Sequence, residues 1–214
     1  MSPATGAIVG SSLVSLYDGV VRQDREDIFD SLLCADRFAS RHHDQRRDYT
    51  NWFFRYRRRL ESRGWVLKSP ILHTPQVVFG PSELDSVTFD IVASAGAQVL
   101  ADLVQASWRS MRVHRFADYY FDNGQRDGEL GRLQMAPCMN DADGTLLMLI
   151  CGIRLTGSAG MRDFEFWSET RREMLLRITG GVYRLDRTTY ARYRDEIRNQ
   201  LSGDAGRAIE EFQL

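Results

Sequence analysis

Apolar residues recur along this chain with two different periods, and the change of period divides it. Over Asp48 to Ser62, Tyr49, Trp52, Phe53, Tyr56 and Leu60 fall at i, i+3, i+4, i+7 and i+11, one stripe of an α-helix. Asp48 suits the N-cap, Gly64 the C′ position, and Arg63 a last turn where the helix dipole favours a cation. Upstream, Ile28, Phe29, Leu32, Leu33 and Ala35 predict a helix over Asp24 to Ser40, and the polar turn Arg41 to Arg47 makes the two an antiparallel pair. After Gly64, Trp65 to Leu72 and Gln76 to Phe79 read as extended, punctuated by Pro70, Pro75 and Pro81. A third helical region starts at Ser82 or Asp85 and reaches Met111, either whole or broken near Gly96.

The second half has the period of strands. Leu133, Met135 and Met139 alternate with Arg132, Gln134 and Cys138. The turn Asn140 to Gly144 then leads into the apolar run Thr145 to Leu155, a hairpin with Gly144 where positive φ is needed. Gly157 to Gly160 reads as another turn, and Phe164 and Phe166 alternate with Asp163 and Glu165 as a half-buried strand. Arg172 to Arg184 fits either a helix or a hairpin; the hairpin is favoured because Gly180-Gly181 can turn and Val182 to Leu185 can return. Asp186 caps a last helix with Tyr190, Tyr193, Ile197 and Leu201 on one face, closed by Gly203.

Successive strands without alternating helices argue antiparallel pairing. The expected fold class is therefore α+β: an N-terminal helical pair and a long central helix packed on an antiparallel β-sheet, with a C-terminal helix. The expected layout is a loose arm over 1–21 and one domain over 22–214. Within that domain, 22–111 is helical, 130–185 forms the sheet and 187–202 the last helix.

Composition adds little to this. A chain of 214 residues, 43% hydrophobic and 27% charged, is long enough for one sizeable core and ordinary for a globular protein. Net charge is −1, so no global field steers it toward nucleic acid or an anionic membrane. Charge is uneven, however. Arg41 to Lys68 carries +6, whereas Ser69 to Trp108 has no basic residue and carries −4 through Glu83, Asp85, Asp90 and Asp102. These two segments are candidates to face each other. Lys68 is the single lysine among 28 basic residues, a bias that fits a GC-rich bacterial genome as well as arginine chosen for its contacts. Three cysteines, Cys34, Cys138 and Cys151, with no CxxC pair, read as free buried thiols, with a Cys138–Cys151 bridge open only if their strands pair. The first arginine is Arg22, so no basic region of a signal peptide precedes the apolar N-terminus; the expected location is cytoplasmic, or exported without a cleaved signal.

Motifs that would carry chemistry do not form. His42 and His43 are neighbours in a turn, His73 and His114 are isolated, and no HExxH or Cys/His spacing suits zinc, so no metal is expected. Asp141 and Asp143 before Gly144 resemble a calcium loop, but an EF-hand would put its first ligand at Met139 and its bidentate acid at Ile150. No G-x-S-x-G, P-loop or dinucleotide fingerprint appears, so no cofactor and no catalytic residue is assigned. The segment from Val87 to Asp102 is too short to span a bilayer. A buried central helix is its ordinary reading, and a helix released from the fold to act on a membrane is the alternative.

At Trp52-Phe53-Phe54-Arg55-Tyr56, followed by Leu60 and Gly64-Trp65, the chain resembles a bacterial family with a WF/WYxxYxxxLxxxGW segment. Its layout adds a long helix, an antiparallel sheet and a C-terminal helix with tyrosine and arginine, similar to Tyr190 to Leu201. The resemblance carries no catalytic residue to any position and implies an accessory or effector role over housekeeping catalysis.

The expectation is a non-enzymatic bacterial binding or effector protein acting through its surfaces on a protein partner or a second copy, with nucleic acid disfavoured. Its interaction patch is Phe54 with Arg47, Arg55 and Arg58, the face left over once the apolar stripe is buried. The alternatives are a membrane-active toxin using the 87–108 helix, in which acid neutralises Asp90 and Asp102, and an enzyme without a recognisable motif. Trp52, Tyr56 and Leu60 are expected in the core.

Overall fold

The computed structural model describes residues 5–17, 19–72, 75–79, 81–94, 100, 102, 129–157, 174–202 and 209–213. The fold is α+β. In chain order the described elements are strands β1 (Thr5–Val9) and β2 (Ser12–Leu16), helices α1 (Arg22–Ser40) and α2 (Tyr49–Glu61), strands β3 (Trp65–Pro70) and β4 (Gln76–Val78), and helix α3 (Pro81–Ser94). Strands β5 (Glu129–Asn140), β6 (Leu146–Gly157) and β7 (Met174–Leu185) follow, then helices α4 (Arg187–Ala191) and α5 (Arg194–Ser202) and strand β8 (Ile209–Gln213).

The strands form one sheet in the order β3-β7-β6-β5-β2-β1-β8, with β4 also paired to β7. Every pairing is antiparallel except β2 with β5, which is parallel. The sheet is thus mixed and not purely antiparallel as expected. Alternate residues of the central strands enter two separate cores. Leu146, Met148 and Ile150 of β6 meet α1, α2, α4 and α5. Leu147, Leu149, Cys151, Ile153 and Leu155 meet Ile91 and Val92 of α3 on the other face.

Several expectations change. Within the arm expected to be loose over 1–21, the described stretch from Thr5 to Leu16 forms a hairpin inside the sheet. Ala7, Val9, Val14 and Leu16 enter one core and Leu13 the other. A strand covered on both faces reads as a continuous mildly apolar run, without the alternation that announces a strand. Among the described residues, the helices of the basic and acidic segments, α2 and α3, lie on opposite faces of the sheet and so do not face each other. The last helix is two helices, α4 and α5, separated at Arg192 and Tyr193.

Residues 174–185 are strand, but Gly180-Gly181 is not a hairpin turn; β7 runs straight through it. The reason lies on the neighbouring strands. A Cβ on Gly180, whose φ is +147°, would come 1.8 Å from the Ile150 carbonyl oxygen, and one on Gly181 would come 2.7 Å from the Ser69 carbonyl oxygen. These glycines permit close backbone approach. Gly144, at φ 73°, does occupy the β5–β6 turn as expected. The strand expected at Phe164 and Phe166, the stretch from Leu103 to Met111, and Gly203 fall outside the described residues.

Candidate functional site

The site is best built outward from α2, whose inner face is closed. Trp52, Tyr56 and Leu60 are buried, and Tyr49, Trp52, Phe53 and Tyr56 stack on one another. Tyr49 and Phe53 lie over β6 at Gly152, where a Cβ would come 2.2 Å from the Tyr49 hydroxyl. Trp52 donates its indole N–H to Ser40 on α1 at 3.0 Å. Gly64 takes φ 97° and ends the helix turn against the backbone of Tyr190 and Asp186.

The arginines of α2 then divide by role. Arg57 donates to the Tyr183 hydroxyl at 2.6 Å and lies over its ring. Arg59 covers Phe38 at 5.0 Å and donates to Gln200 at 2.8 Å. Arg63 lies 4.3 Å from the Tyr193 ring centroid and pairs with Glu196. All three fasten α2 to its neighbours. Arg55 and Arg58 point outward, and Phe54 between them is 60% exposed.

Phe54 and Arg58, four residues apart, share one strip of the helix, with Glu61 3.6 Å from Arg58. Arg55 stands about 100° round the axis from Phe54. Arg47 lies in the turn before the helix, its guanidinium 3.9 Å from Asp44. Asp90 on α3 and Asp102 are exposed, on the opposite side of the sheet from Phe54.

The α1–α2 turn forms an open hollow of about 640 Å³ lined by residues 40–46. Its acids are held by local donors. The Arg46 amide, at 2.7 Å, is the main cause that keeps the Asp44 carboxyl below its usual range. Asp48 is lowered mainly by the Asn51 side-chain N–H, then by the Asn51 backbone and His43, whose Nδ1 lies 2.9 Å away. Asp48 occupies the N-cap position, with its carboxylate turned to the Asn51 and His43 donors.

Sequence reasoning missed two arrangements. One is a zipper on α1, where Asp24, Asp27 and Asp30 are buried. They pair with Arg187, Arg194 and Arg198 at 2.8, 2.7 and 3.3 Å. The i, i+3, i+6 spacing of the three acids was visible, but not that it faces inward. The other is a row of arginines across the sheet, Arg132, Arg154 and Arg177, which only the strand register brings together.

All three cysteines are free and buried; burial raises the Cys138 thiol far above its ordinary value and pushes Cys151 up to about 12. Cys138 pairs in register with Met148 and Cys151 with Met135, and the two thiols point into opposite cores. Among the described residues no three His, Cys, Asp or Glu side chains gather as metal ligands. No described helix is long and apolar enough to cross a membrane. Comparison with protein-family models and with curated proteins gives no match for this chain.

Proposed function

We propose that the protein acts by binding, docking an acidic protein surface on the outer face of α2, in a bacterial accessory or effector role. The observation that carries this is Phe54, 60% exposed, with Arg58 one turn away at 68% side-chain exposure. On this helix every other aromatic side chain is buried and three arginines fasten the fold, so these two residues contribute little to its stability. Arginine and aromatics are the types that most often anchor interfaces, and the outward arginines select an acidic counterpart.

A photo-crosslinking phenylalanine analogue at position 54, in cells of the source organism, tests this. A discrete adduct with an acidic protein is expected, lost when Arg58→Glu is added. No adduct, or the same adducts from a crosslinker at Ala142 in the β5–β6 turn, overturns the reading. An adduct with a second copy of the chain makes self-association the function of the patch. Phe54→Ser should change stability by no more than about 0.5 kcal/mol, as for ordinary surface positions.

A second reading uses α3. Of its described side chains only Thr88, Ile91 and Val92 are fully buried, against eleven on α1. Val87, Phe89 and Ala93 pack against the same core half-buried, so among the described side chains α3 is less deeply buried than α1 and is the candidate to leave the fold for a membrane surface.

A further inference from the structure

The turn between α1 and α2 is fixed from both sides. The amides of His42 and His43 both donate to the Ala39 carbonyl, at 3.0 and 2.9 Å, so the end of α1 delivers the two residues together. From the sheet, the Arg132 guanidinium donates to the carbonyls of Gln45 and Arg46. Both histidines line the open hollow of this turn.

Each imidazole is anchored through Nδ1. His42 Nδ1 lies 2.7 Å from the Phe38 carbonyl oxygen, with its ring 4.6 Å from the Phe38 ring. A carbonyl only accepts, so this nitrogen carries the proton. His43 Nδ1 lies 2.9 Å from Asp48 Oδ2. Asp48 is itself held, with Asn51 Nδ2 at 2.9 and 3.0 Å from its two oxygens. In both rings Nε2 makes no hydrogen bond among the described residues. A base oriented by a carboxylate that is held in turn is the arrangement proton transfer requires.

The other residues of the hollow narrow the chemistry. Arg41 and Arg46 are exposed, and their guanidinium groups make no hydrogen bond or ion pair among the described residues. Asp44 accepts from the Arg46 and Arg47 amides and pairs with Arg47 at 3.9 Å. Positive charge is therefore open to an anion. Ser40, the one hydroxyl among the lining residues, accepts from the Trp52 indole and turns its proton to Asp36. It is no nucleophile for either histidine, so the attacking group has to arrive with the substrate.

We propose that this hollow cleaves RNA by transesterification, with His43 as general base, His42 as general acid, and Arg41 and Arg46 on the phosphate. RNA brings its own nucleophile, the ribose 2′-hydroxyl, beside an anionic centre that suits the guanidinium fork. Neutral His43 takes the 2′-hydroxyl proton at Nε2 as that oxygen bonds to phosphorus. The bond from phosphorus to the 5′ oxygen breaks, and protonated His42 gives that oxygen its Nε2 proton. The products are a 2′,3′-cyclic phosphate and a 5′-hydroxyl, and His43 has gained the proton that His42 lost. Asp48 touches no substrate and acts as the positioning residue of His43. Net charge supplies no long-range field, but residues 41–68, which begin at the hollow, carry +6. This activity does not depend on the Phe54 patch.

Labelled DNA oligonucleotides carrying a single ribonucleotide, one for each base, test it with the full chain. Cleavage on the 3′ side of the ribonucleotide is expected, with a cyclic phosphate identified by mass spectrometry, and an all-DNA strand should stay intact. His43→Ala and His42→Ala, purified in parallel, should each lower kcat about 10²-fold or more, the usual contribution of a positioned acid or base. Asp48→Asn should lower kcat with KM unchanged, whereas Arg46→Gln should raise KM and Arg184→Gln on β7 should change neither. No cleavage by the wild-type chain, cleavage of the all-DNA strand, or full activity of His43→Ala each overturns the proposal. So does an equal loss in Arg46→Gln and Arg184→Gln, which would mean diffuse charge. If His43→Ala lowers the melting temperature, His42→Ala decides, because that side chain is exposed. Loss of kcat there with stability intact supports the site, and full activity overturns it.

Discussion

Trp52 shows how much one side chain can hold. It is fully buried, stacks on Tyr56 at 5.1 Å between ring centroids, and ties α2 to α1 through Ser40. Trp52→Ala removes one of the two buried tryptophans of that core and leaves a cavity, at a cost of about 3–5 kcal/mol. Thermal denaturation should show a sharply lower melting temperature or an insoluble chain. Intact stability with loss of binding would instead make Trp52 an interface residue. Gly180 is constrained by the opposite geometry. Any Cβ there meets the Ile150 carbonyl oxygen, which cannot retreat without breaking the β6–β7 ladder. Gly180→Ala should therefore destabilise more than Gly144→Ala, where both positions have positive φ but nothing lies within 4 Å of the added Cβ. Denaturant midpoints of the two variants would rank them.

At the scale of elements, the Asp–Arg zipper decides whether α4 and α5 stay on α1. Asp27 is 1% exposed and receives Arg194 at 2.9 and 2.7 Å through two guanidinium nitrogens. Removing one partner of such a pair leaves a buried charge, at about 3–5 kcal/mol, more than the pair itself contributes. Asp27→Ala should thus cost more than Asp27→Leu combined with Arg194→Leu, and a double-mutant cycle would measure the difference.

Asp186 adds a pH dependence. Its side chain caps α4, accepting from the Thr189 amide at 3.0 Å, and that amide, then the Thr189 hydroxyl, lowers its carboxyl below the ordinary range. A lowered folded-state value means the contribution is whole above the unfolded value of about 3.9 and is lost as pH falls through the folded one. Asp186→Asn should flatten the acid limb of the melting-temperature profile; an unchanged limb would place the titration elsewhere.

What the sequence made legible follows the same division. The register of α2 was readable because its stripe, Gly64 stop and neighbours lie within one run. The role of Gly180 was not, since the atom that demands a glycine belongs to Ile150, thirty residues upstream in sequence. The N-terminal hairpin escaped because burial on both faces erases alternation. The outward position of Phe54 needed only a helical projection. The arginine row needed the β5–β6–β7 register, which no local pattern carries.

For the whole molecule, one sheet separates two cores, and the two cysteines at its centre report on each. Cys138 faces the core under α1 and α2, and Cys151 the core under α3. Burial keeps both as unreactive thiols, so a thiol reagent attacks only after the covering layer opens. The covering is unequal. The helices on the Cys138 side bury long apolar stripes and are fastened by the zipper, whereas among the described side chains of α3 Ile91 and Val92 are buried in the core and Val87, Phe89 and Ala93 pack against it half-buried. Opening the α3 side should therefore need less free energy, and Cys151 should react before Cys138. Variants leaving a single thiol, Cys34→Ser with Cys138→Ser and Cys34→Ser with Cys151→Ser, measure the two rates in native buffer. Equal slow rates, matching global unfolding, would show that both cores open together and would remove the basis for α3 leaving the fold. A faster Cys151, accelerated further by anionic liposomes while Cys138 is not, would support the membrane reading, since it requires α3 to lift from the sheet while the α1–α2 side stays closed.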